Sequence, residues 1–294
     1  MAVLLILGCS VASANGKLIS SAVQKQLELS ENQIDIGIAA LTFAKEVYPE
    51  LDIQAYSRKI DALADRAHWL GKGTLDPEKR IRALNTVLFR QEGFHYDRDP
   101  FSRSRQEYYY LNGILDTKKG ICYTMPLLYI AVAQRLRYPI YAVAAPDHLF
   151  VRYVDPSFKQ QNVETTSGGK YFTDEEYIKD FSVNERALTS GSYLRTLTYR
   201  EFVGHILVAS TYAMRKDGHK TLAYLERATQ LHSTFADFHL GLSQGYQAKS
   251  KITSGNLAAV LREKSQYHAG KAKELGYVSQ SEIAAGRQIR GKAQ

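Results

Sequence analysis

The stretch from Gly120 to Ala133, Gly-Ile-Cys-Tyr-Thr-Met-Pro-Leu-Leu-Tyr-Ile-Ala-Val-Ala, constrains this chain more than any other. It carries no charged residue, so it offers no solvent face, and a helix of that composition is stable only when buried on all sides. Pro126 fixes where the helix begins. Proline fits the first turn, where its missing N–H would be unpaired anyway, but deeper in it removes an internal hydrogen bond and clashes with the turn before it. Cys122 therefore falls at or just before the helix start, and the helix ends before Pro139.

The rest of the chain supplies material to bury that helix. At 294 residues, with 45% apolar and 23% charged, it sits in the ordinary globular range and is long enough for two domains. Ahead of the central run, Ile36, Ala39, Ala40, Phe43 and Val47 share one helical face, and Tyr56, Ile60, Leu63, Ala64, Ala67 and Leu70 form a second stripe. A third helix is marked by Asp76 as N-cap, Pro77 and Glu78 in its first turn and Gly93 as its stop, with Ile81, Leu84, Val87 and Leu88 on the apolar side. Residues 108–115 read as a further short helix. Behind the central helix, 140–144, 148–154 and 161–165 read as strands, separated by Asp155-Pro156-Ser157 and the Ser167-Gly168-Gly169 turn.

The last third is helical only. Tyr212 and Tyr246 stand 34 residues apart, as do His205 and His239, and Val208 and Leu242, which is the tetratricopeptide period. A plain helical extension is the alternative. From Lys249 onward there are nine Lys or Arg and three acids within a chain of net charge +8, so the end is basic. A solvated helical face with a frayed tail accounts for it; attraction to an anionic surface is the competing reading.

The N-terminus, Met1 to Ala14, has a short apolar core and an Ala12-Ser13-Ala14 cleavage pattern, and is expected to be an export signal. Ile6-Leu7-Gly8-Cys9 resembles a lipid-attachment site, so anchoring in the bacterial periplasm through Cys9 is an alternative to release. A buried first strand or helix is the competing structural reading. Only Cys9 and Cys122 are present, so a processed chain keeps one thiol and forms no internal disulfide. That thiol is either inert or kept for reactivity.

Three residues suggest reactivity. A thiol attacks as thiolate and needs a base and a positive environment, and the start of a helix supplies partial positive charge. His148 opens one expected strand and Glu164 lies in the next, close enough for a carboxylate to orient the imidazole. The order is nucleophile, base, orienter, at gaps of 26 and 16 residues. Each alone has a plainer explanation as a buried thiol, a turn histidine or a surface acid; their order and placement make the joint case.

Gly120-Ile121-Cys122, then Asp147-His148-Leu149-Phe150-Val151-Arg152, then Asn162-Val163-Glu164, together resemble the transglutaminase-like core of the papain-like superfamily. More narrowly, the chain resembles bacterial transglutaminase-like proteins carrying tetratricopeptide repeats behind that core. Leu84 to Phe89, Gly93-Phe94 and Tyr110-Leu111-Asn112 support it, and it covers roughly residues 36–275. The resemblance implies an α+β fold, with the cysteine-bearing helix on a small antiparallel sheet and an all-α repeat domain behind. It implies Cys122 as nucleophile, His148 as base and Glu164 as orienter, where the family often has Asp. Asn112 or Tyr110 is the candidate second oxyanion donor beside the Cys122 N–H.

The expected organisation is a signal over 1–14, a linker over 15–35, the core over 36–198, helical repeats over 199–278 and a basic tail over 279–294. The expected activity is acyl transfer on protein or peptide amides, as protease, amidase or transglutaminase. A silent scaffold whose repeats bind a partner protein is the alternative. No cofactor is implied. No apolar run beyond the N-terminus is long enough to span a bilayer, no phosphate-loop or dinucleotide fingerprint occurs, and the histidines lack zinc-ligand spacing. The cations do not alternate with aromatics, which argues against nucleic acid.

Overall fold

The computed structural model describes residues 18–291 other than 100, 160 and 212–216. The expected signal over 1–14, with Cys9, lies outside them, as does Tyr212. The expected linker over 15–35 is corrected where it is described. Helix α1 spans Ser21–Glu28, with the Ser20 hydroxyl accepting from the Val23 N–H at 3.3 Å, and a 3-10 turn covers Glu31–Gln33. Val23 and Leu27 lie four residues apart on one face, and both are buried in the core. Two buried apolar side chains in a mostly polar octet are enough here, because tertiary burial rather than propensity holds the helix.

Helices α2 (Ile36–Lys45) and α3 (Ile53–Gly71) follow, each N-capped by an aspartate, Asp35 and Asp52. In α4 (Pro77–Asn85) the Asp76 carboxylate accepts from the N–H groups of Glu78 and Lys79. The chain continues as a π-helical segment, Thr86–Gln91, and turns at Gly93, whose φ is +73°. Strand β1 (His95–Tyr96), two 3-10 turns, α5 (Leu111–Thr117) and β2 (Lys119–Gly120) lead to the central helix α6 (Thr124–Arg135). Strands β1 and β2 pair in parallel, a small ladder with no counterpart in the sequence reading.

Helix α6 is buried from Thr124 through Ala133, and Pro126 lies in its first turn. Its polar end is fastened: the Gln134 side-chain Oε1 accepts from the Ile36 N–H at 2.9 Å, and Arg135 pairs with Asp35 and Asp61. Gly120 has no room for a side chain. A Cβ there would meet Ile114 Cδ1 at 2.6 Å and Met125 Sδ at 2.9 Å.

On this helix lies an antiparallel sheet in the order β3 (Ile140–Ala145), β4 (His148–Tyr153), β5 (Asn162–Glu164), β6 (Lys170–Tyr171). Three of these strands are the expected ones; β6 adds a fourth. Helices α7 (Asp174–Phe181) and α8 (Glu185–Thr189) follow, and residues 194–197 run beside β3, with the Leu194 N–H donating to the Ala144 carbonyl at 2.8 Å.

The remaining described residues are helical: α9 (Tyr199–Thr211), α10 (Gly218–Leu231), α11 (Ala236–Lys251), α12 (Gly255–Glu274) and α13 (Gln280–Gly291). The 198/199 boundary does not divide two cores, since Phe202, Ile206, Leu207 and Tyr224 belong to the same buried cluster as α6. A smaller cluster of Leu222, Leu225, Leu242, Tyr246 and Leu261 binds α10, α11 and α12 together. The expected frayed tail over 279–294 is corrected over its described part. Helix α13 packs on α7, buries Ile283 and is capped by Glu282 accepting from the Ser279 N–H at 2.7 Å.

Candidate active site

Cys122 is a free, half-buried thiol two residues ahead of α6. Its position is set by Thr124, whose hydroxyl accepts from the Ile121 N–H at 3.1 Å and donates to the Tyr108 carbonyl at 3.0 Å. Opposite stands the β3–β4 hairpin. Ala145 pairs with His148, so Pro146 and Asp147 form a two-residue turn, and Asp147 takes φ +54°. Proline followed by a positive φ is the pattern of a type II turn, a place where Asp is tolerated better than most side chains. The turn delivers His148 to the start of β4, facing the thiol.

His148 Nε2 is 2.7 Å from Glu164 Oε2. That leaves Nδ1 for the sulfur, and hydrogen bonding to Cys122 contributes to the ring's charge state. Burial alone would lower the His148 pKa, but the charge of Glu164, the hydrogen bonds to Cys122 and Glu164 and the charge of Cys122 raise it to about 10. Glu164 is 4% exposed and accepts four hydrogen bonds. Oε1 takes the Thr166 N–H at 2.8 Å and its hydroxyl at 2.6 Å; Oε2 takes His148 and the Tyr177 hydroxyl at 2.8 Å. Burial pushes the Glu164 carboxyl up, and these partners more than offset it, holding it below the usual glutamate value. The imidazole stacks on Phe181 at 4.8 Å. Tyr177 in turn lies flat on Phe150, its ring centroid 3.7 Å away.

Cys122 and His148 open on a cavity of about 270 Å³, lined also by Tyr96, Arg103, Thr166 and, from α13, Gln280 and Ile283. A larger cavity of about 520 Å³ lies apart, around Arg195, Glu201 and Thr234, and none of Cys122, His148 and Glu164 borders it. Arg103 spans the mouth of the smaller one, donating from Nη1 to Asp147 Oδ2 at 2.7 Å and from Nη2 to Cys122 Sγ at 3.4 Å.

The two candidate oxyanion donors are corrected. The Tyr110 hydroxyl donates to the Ser210 carbonyl at 2.9 Å, in the interior between α5 and α9, and burial raises its pKa well above the usual tyrosine value. Asn112 is buried within α5, and its Oδ1 has no hydrogen-bond partner. Neither lines the Cys122 cavity among the described residues, because α5 packs on α2 and α6. Sequence reasoning missed Arg103, Thr166, Tyr177, Phe181 and the two α13 residues. Only Thr166 had a local signal: a hydroxyl two residues after an acid is placed for a side-chain-to-backbone turn.

Among the described residues no group of three or more His, Cys, Asp or Glu is placed to hold a metal ion, and no helix is long and apolar enough to cross a membrane. Fold and cleft define a class: a mixed α and β protein with a thiol ahead of a buried helix, facing a histidine–carboxylate pair on an antiparallel sheet. A model of the Transglutaminase-like superfamily matches residues 54–208, over half of the chain, and the chain belongs to that superfamily. Its members are usually cysteine proteases or acyltransferases. The chain is similar to the UPF0162 protein of Xylella fastidiosa strain Temecula1, 29% identical over 125 residues, covering 42% of this chain and 43% of the relative. It is also similar to UPF0162 protein PM0557 of Pasteurella multocida, 29% identical over 79 residues, covering 27% and 29%. The match thus spans less than half of each relative. Among solved structures, menin aligns with a TM-score of 0.47 at 13% identity, covering 85% of this chain and 68% of that one.

Proposed function

We propose that this protein is a cysteine acyl-transfer enzyme of the cell envelope, acting on protein or peptide amides through Cys122, His148 and Glu164. One observation carries the reading: His148, bonded to the buried Glu164 at 2.7 Å, opens on the same cavity as the only described thiol. A histidine whose pKa is raised to about 10 is cationic at neutral pH, which suits an imidazolium beside a thiolate. The sulfur attacks the amide carbon, His148 gives its proton to the leaving amine, and a thioester on Cys122 remains. Water resolves it in a hydrolase; a second amine resolves it in a crosslinker. The envelope assignment rests on the N-terminal leader pattern, and α9 to α12 are read as two tetratricopeptide-like hairpins.

Treatment with p-nitrophenyl acetate and mass spectrometry of the Cys122 peptide tests the reading. One acetyl group on Cys122, absent in Cys122→Ser and strongly reduced in His148→Ala, is the expected result. An unmodified Cys122 in a protein whose other nucleophiles react normally overturns it.

A second reading, a scaffold that binds a partner protein, is favoured by Ile252, Leu257, Val260 and Tyr267, which stand exposed at the end of α11 and along α12. It predicts a thiol indifferent to His148.

A further inference from the structure

We propose that Arg103 is a catalytic residue of this site: the charged donor that follows negative charge from the Cys122 sulfur onto the oxygen of the tetrahedral intermediate. The inference rests on the acyl-transfer reading above and supplies the side-chain oxyanion donor that Tyr110 and Asn112 do not.

Arg103 is held for this from three sides. Its Nη2 donates to Sγ at 3.4 Å and its Nη1 to Asp147 Oδ2 at 2.7 Å. Its backbone carbonyl accepts from the Tyr109 hydroxyl at 2.8 Å, which ties the short 3-10 turn Ser102–Ser104 to the next one. Asp147 is itself placed by the tight turn that delivers His148, its carbonyl oxygen 3.8 Å from Sγ. A single turn therefore both delivers the imidazole to the cavity that holds the sulfur and anchors the guanidinium that donates to it. Burial opposes the Arg103 charge, yet Cys122 and Asp147 more than offset it and hold its pKa above the usual arginine value. The side chain remains 49% exposed at the cavity mouth, so a substrate carbonyl reaches it.

The Sγ lone pair forms the S–C bond while the carbonyl π pair moves to oxygen. That oxygen is two bonds from the sulfur, within a small swing of the Nη2 that already points at Sγ. Arg103 donates a hydrogen bond to it and loses no proton. The carbonyl then re-forms, the C–N bond breaks, and the His148 imidazolium proton goes to the departing nitrogen. A donor aimed at developing charge acts more strongly in the transition state than in the ground state, and removing one costs about 10²–10³-fold in rate.

The test separates oxyanion stabilisation from thiol activation. Acylation by p-nitrophenyl acetate passes through an oxyanion; alkylation by iodoacetamide displaces iodide and does not. Both rates are measured at Cys122 in the full chain, for wild type, Arg103→Gln, Arg103→Lys and Asp147→Asn, with circular dichroism confirming each fold. Arg103→Gln is expected to slow acylation about 100-fold while alkylation changes less than about tenfold. Arg103→Lys restores part of the acylation rate, and Asp147→Asn, which frees the guanidinium, shows the same bias more weakly. Equal loss in both reactions, or acylation unchanged in Arg103→Gln, overturns the assignment while leaving Cys122 an acyl acceptor. A wild-type Cys122 that alkylates but never acylates overturns the acyl-transfer reading and this one together.

Discussion

His148 and Glu164 meet at 2.7 Å although they are not directly opposite on their strands. Val151 pairs with Val163 and Arg152 with Asn162, so continuing that register sets Glu164 against Phe150, with His148 two residues further along the same face. Diagonal neighbours on one face lie within reach of long side chains. Glutamate spans the gap, and its extra methylene over aspartate makes the contact natural at this register.

Replacing Glu164 with Gln keeps the shape and removes the charge that holds His148 cationic. The amide also forces one of its faces to donate where the carboxylate only accepts, against the Tyr177 hydroxyl or the Thr166 donors. Acylation of Cys122 at neutral pH is expected to fall by about 10²–10⁴-fold, the range of a lost general acid–base partner. Stopped-flow release of p-nitrophenol reads it directly; a variant with wild-type rates removes Glu164 from the mechanism.

The same pair makes stability depend on pH in two directions. His148 has a folded pKa raised to about 10, so its contribution is complete below the unfolded value of about 6.5 and is lost as pH rises through 10. Glu164 has a lowered folded pKa, so its contribution is present above its unfolded value near 4.5 and is lost as pH falls through the folded one. Between about pH 4.5 and 6.5 both are complete. Urea unfolding of wild type against His148→Gln is expected to show the widest stability gap near pH 5.5, narrowing steadily toward pH 10. A gap that widens above pH 7 contradicts the assignment of charges.

Tyr177→Phe isolates one hydrogen bond. The ring keeps its stack on Phe150 at 3.7 Å, and only the hydroxyl that donates to Glu164 Oε2 is lost. A bond to a buried charged acceptor is worth about 1.5–3 kcal/mol, so denaturant unfolding at pH 7 is expected to show a loss near 2 kcal/mol. The Glu164 carboxylate keeps three donors, and acylation drops only a few-fold. An unchanged unfolding free energy refutes the count of donors.

The cysteine, histidine and acid were legible because their chemistry is carried by residue type, and the elements under them by pattern: an uncharged run with an early proline, then short strands between turn residues. Arg103 was not. It sits in a polar loop among Asp, Ser and other Arg, where nothing in the pattern separates a side chain aimed at sulfur from one in water. Tyr110 and Asn112 failed for the opposite reason. They are close to the motif in sequence, but Tyr110, at the cap of α5, reaches the Ser210 carbonyl of α9, and Asn112 is buried within α5. Residues 18–35 looked like a linker because one turn's pair of apolar side chains, Val23 and Leu27, is too weak a period to stand out until a partner surface is known. The fold class followed from periodicity; which helix covers the cleft did not, since that depends on how far distant segments of the chain return.

Helix α13 is that cover, and its role is open to direct measurement. Ile283 is 4% exposed and, with Gln280, forms one wall of the 270 Å³ cavity, while α13 leans on α7, the helix that supplies Phe181 to the imidazole. Beside Ile283, a long hydrogen bond of 3.4 Å runs from the Ser182 hydroxyl to the Glu282 carbonyl. Burying one isoleucine side chain contributes about 1.5–3 kcal/mol, so Ile283→Asp weakens the seat of α13 on the main buried cluster, to which Ile283 belongs, with circular dichroism checking that the rest of the fold persists. The site then opens on one side. Iodoacetamide, small enough for the closed cavity, is expected to label Cys122 at nearly the wild-type rate in the variant. Fluorescein maleimide, too bulky for it, is expected to label at least about tenfold faster, a rate change equivalent to about 1.4 kcal/mol. If both reagents label wild type and variant alike, α13 does not restrict the cleft, and the size limit on its substrates lies elsewhere.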